Sequence, residues 1–154
     1  MRELKYYVAC TVDGFIANSD GSFDGFLHDG DHVPDFIASY QWFDTVLMGR
    51  KTYEVALNAG VTNPYPSMRQ YLFSRSIEQS PDENVTLVKE NAVDLVTDLK
   101  KQAGKAIWLC GGANLAATLF TASLIDEIIL KVIPSCSARA FPSFPKPFPG
   151  RNWR

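Results

Sequence analysis

Apolar residues along the chain follow two rhythms: short unbroken runs, and stretches in which every third or fourth position is apolar. Residues 4–10 form the first run and predict a strand, which continues at 15–17 after a turn at Asp13-Gly14. Residues 18–30 are rich in Gly, Asp, Asn and Ser and predict a loop. Pro34 suits a first helical turn, and Phe36, Ile37, Tyr40 and Phe43 carry a helical period through 43. A short strand at 45–48 precedes a helix over about 50–57. Beyond a loop through Pro64 and Pro66, residues 70–73 and 85–88 are strand-like. Val93, Leu95, Val96 and Leu99 mark an amphipathic helix that Gly104 ends. Residues 106–109 form a strand running into Gly111-Gly112, Leu115, Ala116, Leu119 and Phe120 fill one side of a helix, and 128–133 is a strongly apolar strand. Strands separated by helices of this length imply an α/β fold, a mostly parallel sheet with helices on both faces. Ligand-binding loops then belong at the carboxyl ends of the strands.

Composition narrows the function classes. At 154 residues the chain makes one domain, large enough to bury a core without a disulfide or metal staple. Lys and Arg number 15 against 17 Asp and Glu, so the basic excess that drives non-specific nucleic-acid or anionic-membrane binding is missing. Cys10, Cys110 and Cys136 are odd in number with no CxxC spacing, which argues against a disulfide framework and a cysteine zinc site. No apolar run has the length of a secretory signal or a bilayer span, and the expectation is a reduced cytoplasmic protein.

Chemistry concentrates at three strand ends. Val46-Leu47-Met48 runs into Gly49-Arg50-Lys51-Thr52, and Ile107-Trp108-Leu109-Cys110 into Gly111-Gly112-Ala113-Asn114, each followed by a helix. Helix N-termini offer unpaired N–H groups to phosphate, and glycine lets a ligand approach the backbone. Ser74-Arg75-Ser76 adds hydroxyls and a cation after Tyr71-Leu72-Phe73. Three phosphate-compatible strand ends suit a dinucleotide. Singly, each is also an ordinary tight turn or solvated helix start, and neither a Walker loop nor a GxGxxG fingerprint is present.

The strings CTVDGFIA, FDTVLMGRKTYE, LFSRS and LCGGANLAATLF…LIDEIILKVIP, in that order over residues 3–134, resemble the dihydrofolate reductase superfamily. Within it they are most similar to the branch holding the C-terminal reductase domain of riboflavin-biosynthesis enzymes and small stand-alone relatives of that domain. The resemblance implies a three-layer fold with a central mixed, mostly parallel sheet, usually a homodimer, binding NADPH and a small-molecule substrate. It implies Gly49, Arg50, Lys51 and Thr52 at the cofactor phosphates. Ser74, Arg75 and Ser76 would face the 2′-phosphate, with Gly111, Gly112, Ala113 and Asn114 cradling the pyrophosphate. Ala9, Ile16 and Ala17 would lie against the nicotinamide, with Asp13 and Gly14 at the mouth of the active site. The implied reaction is reduction of a ribosylamino pyrimidine phosphate. A folate or pteridine reductase, or a nucleotide-binding dimer without turnover, are the alternatives.

Substrate contacts are less marked. In the folate-reducing branch a carboxylate on the first helix holds the pterin, and Asp35 is the acidic residue nearest that place, although Phe36 could occupy the aligned position. Asp35 is otherwise a first-turn aspartate complementing the helix dipole, and Asp13 is otherwise explained by turn chemistry. Trp42, Phe43, Phe73 and Trp108 default to the core, and Cys110 to a small packed hydrophobe. His28-Asp29-Gly30-Asp31-His32 reads as a solvated loop rather than a metal site, and residues 20–25 do not fit an EF-hand. From Ser135 the chain turns proline-rich, and codons can be chosen for 135–146 that encode Ile-Val-Leu-Gly-Ser-Gly-Ile-Pro-Leu-Phe-Pro-Lys when shifted by one nucleotide. That shifted string fits the family pattern, so the expected division is a domain over 1–134 and a frameshifted tail over 135–154.

Overall fold

In a computed structural model, which describes residues 1–18, 21, 22, 30, 32–134 and 140–142, the apolar runs become strands of one six-stranded sheet. In chain order the elements are β1 (Leu4–Thr11), β2 (Phe15–Asn18), α1 (His32–Ala38), a 3₁₀ turn (Ser39–Trp42), β3 (Phe43–Gly49) and α2 (Arg50–Asn58). There follow β4 (Arg69–Phe73), β5 (Val85–Val88), α3 (Ala92–Lys101), β6 (Ala106–Gly111), α4 (Ala113–Thr121), β7 (Glu127–Ile133) and β8 (Ala140–Pro142). The sheet order is β5-β4-β3-β6-β1-β7, and every ladder in it is parallel. The expected three layers are present: the sheet is buried on both faces, as parallel sheets require. Leu4, Tyr6, Leu47, Ile107 and Leu109 pack against Val96 and Leu99 of α3 and Leu115, Ala116 and Leu119 of α4. On the other face Val46, Met48, Leu72 and Trp108 meet Tyr53 of α2, with Phe36 and Tyr40 from the α1 segment.

Two details differ from the sequence pattern. The helix expected through 43 stops at Ala38, because the Ser39 hydroxyl donates to the Phe36 carbonyl (2.6 Å) and the chain tightens into a 3₁₀ turn. Phe43 consequently opens β3, and Trp42 is 51% exposed rather than in the core. β2 leaves the main sheet and pairs antiparallel with β8, so three tail residues do form a ladder, though not with a central strand. Of the His28–His32 motif only Gly30 and His32 fall among the described residues, and most of the tail, Cys136 included, lies outside them.

Polar staples close the amino end of the sheet. Lys100, only 4% exposed, donates to Asp126 (2.5 Å) and to the Leu124 carbonyl (2.7 Å), while Asp126 also accepts the Leu4 N–H (2.7 Å). Asp44 pairs with Arg2 and accepts the Thr45 hydroxyl (2.7 Å) and the Lys105 N–H (2.8 Å). Burial works against the Asp44 charge, but these bonds and the Arg2 and Arg69 cations outweigh it and hold the carboxyl below its ordinary value. A carboxyl depressed in the folded state stabilises the protein above its unfolded pKa, and that contribution disappears as pH falls through the folded value. Urea denaturation should therefore show Asp44→Asn less stable than wild type near neutrality, with the gap closing below pH ~4. A gap independent of pH would contradict this role.

Candidate active site at the carboxyl edge of the sheet

Register, rather than any single motif, assembles the site. Gly49 pairs with Phe73 across the β3–β4 ladder, and Met48 pairs with Gly111 across the β3–β6 ladder. The segments that follow these strands, Arg50–Thr52, Ser74–Ser76 and Gly112–Asn114, therefore emerge side by side at one edge. β3 hands the chain to α2 and then outward to β4, whereas β6 hands it to α4 on the opposite face and then past β1 to β7. Such a reversal between neighbouring strands leaves a crevice outside their carboxyl ends. A second parting lies alongside: the β1–β6 ladder ends at Tyr6 and Leu109, while β1–β7 continues to Thr11 and Ile133.

The two glycine turns are packed against one another. A Cβ at Gly49 would lie 3.1 Å from the Gly112 backbone nitrogen, and one at Gly111 would lie 3.1 Å from Thr52 Oγ1. Gly111 also has φ +143, a conformation open essentially to glycine alone, and the Gly111–Gly112 peptide is cis. Gly49 and Gly112 are the N-caps of α2 and α4, and neither supplies a side-chain cap, so both helices begin at this edge with no cap side chain over their first turns. Around them Arg50 forms an ion pair with Glu54 one helical turn on (2.5 Å), and Lys51 is exposed. The Ser74 hydroxyl is buried and accepts the Ser76 and Ile77 N–H groups (3.3 and 3.1 Å), which shapes the turn that leaves Arg75 and Ser76 exposed. Ser74 is thus tied to its own loop.

The β1 end carries the other expected residues. Ala9 is half-buried on β1, and Ile16 and Ala17 lie on β2. The Thr11 hydroxyl donates to Asp13 (2.6 Å) and accepts the Phe15 N–H (3.0 Å), and Gly14 N–H closes the turn onto the Thr11 carbonyl (2.9 Å). Asp13 is an exposed carboxylate steadied by Thr11. Asp35 is exposed on α1, and Phe36 is the helix residue turned to the sheet. Phe36 meets Tyr7 edge-on (5.4 Å between centroids), Tyr40 (5.2 Å) and Trp108 (5.9 Å). Burial raises the Cys110 thiol to about 11, and Tyr65, itself raised by burial, contacts its sulfur at 3.7 Å, which makes Cys110 a poor nucleophile.

One residue of this cleft escaped the sequence pattern. Lys131 interrupts the apolar run of β7, is paired in register with Ala9, and holds its ammonium 5.2 Å from the centre of the Phe36 ring. The signal was a charge inside the apolar run 128–133.

Substituting the two turn glycines tests this packing. Gly111→Ala should cost about 1–3 kcal/mol. It should cost more than Gly60→Ala, because Gly60 has a positive φ (+77) but open space around its Cβ position. Equal losses in denaturant melts would show that the close approach to Thr52 is not felt.

Comparison with known proteins places this geometry. The RibD C-terminal domain family matches residues 2–136. The uncharacterised protein YwjB of Bacillus subtilis (strain 168) is 37% identical over 147 residues, covering 93% of this chain and 83% of that protein. A second uncharacterised protein of that organism, YyaP, is 32% identical over 155 residues, covering 93% of this chain and 80% of its own. The crystal structure of a putative riboflavin biosynthesis protein from Shewanella sp. PV-4 superposes with a TM-score of 0.78 at 26% identity, covering 95% of this chain and 84% of that one. Dihydrofolate reductase of Enterococcus faecalis, solved with NADP(H), shares the fold alone, with a TM-score of 0.67 at 16% identity over 98% of this chain and 79% of that one. On the breadth of the family match and the identity to YwjB, the chain belongs to the RibD C-terminal domain family.

Proposed function

We propose that the protein is an NADPH-dependent reductase of a small heterocyclic substrate, similar to the reductase of riboflavin biosynthesis. The observation that carries this reading is the row of uncapped, glycine-led helix N-termini at one sheet edge, flanked by Arg50, Lys51 and Arg75. Uncapped N–H groups and the positive helix ends favour the phosphates of a dinucleotide. In this assignment α2 and α4 donate backbone N–H groups from Arg50–Thr52 and from Ala113 and Asn114 to the phosphates. Thr52 props the diglycine turn, and Arg75 with Ser76 faces the 2′-phosphate. Ala9, Ile16 and Ala17 give the nicotinamide an apolar wall. Bound there, NADPH supplies the hydride; the protein orients the acceptor and excludes water with Tyr7, Phe36 and Trp108. The folate reading is less favoured, because the helix position turned to the sheet carries Phe36 and not a carboxylate.

Fluorescence titration should show NADPH bound by the wild type, weakened about tenfold by Arg50→Ala, and losing its preference over NADH in Arg75→Ala. NADPH oxidation should accompany the ribosylaminopyrimidine phosphate and not dihydrofolate. Unchanged binding in both variants contradicts the assigned phosphate roles, and binding without turnover on either substrate favours a non-catalytic domain.

The tail bears on stability. The family match ends at 136, next to the point where the shifted reading begins. β7 is an edge strand among the described residues, with Leu130 49% and Val132 57% exposed. A chain translated in the shifted frame from Ser135 should melt at higher temperature, because its apolar segment covers that edge. An equal or lower Tm would remove the frameshift reading.

A further inference from the structure

Lys131 stands in a setting that its strand does not explain. β7 alternates its side chains, so Lys131 shares a face with its register partner Ala9, roughly 4.8 Å away across the ladder, on the α1 side of the sheet. Its ammonium lies over Phe36, a ring that also touches Tyr7 and Trp108, and the whole group borders the parting between β1 and β6. Among the described residues no carboxylate forms an ion pair with it. Desolvation holds this ammonium below the ordinary lysine value. Among the described residues, Asp35 is exposed on α1, and Asp13 is exposed and accepts the Thr11 hydroxyl. A cation over an aromatic ring gains a modest attraction from the quadrupole, far less than a hydrogen-bonded anion would give. Among the described residues this side of the cleft therefore presents a positive charge without an anionic partner, the reverse of a carboxylate site that grips a protonated ring.

From this we propose that Lys131 is the acceptor-binding residue and that the substrate is a planar heterocycle carrying a carboxylate, or another group anionic at neutral pH, on the edge directed at β7. The inference rests on the reductase reading for the position of the ring beside Ala9, and it departs from that reading in the charge of the ring, since the pyrimidinedione of a ribosylaminopyrimidine phosphate is neutral. Lys131 donates hydrogen bonds to the anionic oxygen while Phe36 and Tyr7 enclose the ring, and a neutral or cationic analogue leaves the ammonium unpaired.

The test uses orotate, a planar pyrimidine carboxylate, and uracil, its uncharged counterpart, each titrated into the full chain by tryptophan fluorescence with and without NADP+. The wild type should bind orotate about tenfold or more tightly than uracil. Lys131→Met should abolish that preference, and Lys131→Arg should keep most of it. Far-UV circular dichroism and the NADPH titration should be unchanged in both variants, which separates a lost contact from a lost fold. Equal affinity for the two pyrimidines in the wild type, no orotate binding at all, or a preference surviving in Lys131→Met would overturn the assignment. A wild type that prefers orotate but does not bind NADPH would instead sink the cofactor reading and leave Lys131 standing.

Discussion

The parallel register of β4, β3 and β6 is the constraint from which the site follows. Parallel strands deliver all their carboxyl ends to one edge, and pairing Gly49 with Phe73 and Met48 with Gly111 sets three turns abreast. A slip of one residue in either ladder would send the buried side chains of β3 to the wrong faces, since Leu47 belongs to one core and Val46 and Met48 to the other. The packing that stabilises the sheet thereby fixes the spacing of the two helix N-termini. Glycine suits the place where those turns converge, because Gly111 has φ +143 and a methyl group at Gly49 would crowd the backbone of Gly112.

Charge divides the cleft in two. At the β3, β4 and β6 ends, Arg50, Lys51 and Arg75 surround uncapped helix starts, a setting for phosphate. On the β1–β7 side the surroundings are aromatic, and Lys131 is the cation held against them. The residue nearest the role of a ring-gripping carboxylate, Asp35, is displaced by one position from the inward face that Phe36 occupies. One step around a helix turns a side chain by roughly 100°. That rotation is what distinguishes the proposed anionic acceptor from a protonated pterin.

Much of this was legible in the sequence. The runs at 45–48, 106–109 and 128–133 gave strands, and the glycine-led junctions gave the edge where they end. Less legible was anything set by side chains reaching across the fold. The Ser39–Phe36 bond that shortens α1 competes locally with helix propensity, so periodicity through Phe43 overran it. The burial of Ser74 in its own turn depends on Val88, a neighbour in space that accepts the Ser74 N–H (3.0 Å). Lys131 acquires meaning only once register sets it beside Ala9 and packing brings Phe36 beneath it.

The central claim is that the uncapped N–H groups along this edge grip the phosphates of a nicotinamide cofactor. Backbone amide shifts in ¹H–¹⁵N correlation spectra, recorded while NADPH is titrated into the labelled protein, test it residue by residue. The account predicts the largest displacements at Arg50–Thr52, Ser74–Ser76 and Gly112–Asn114, with Ala9 moving as the ring docks. Shifts confined to other surfaces, or none at saturating cofactor, would contradict it.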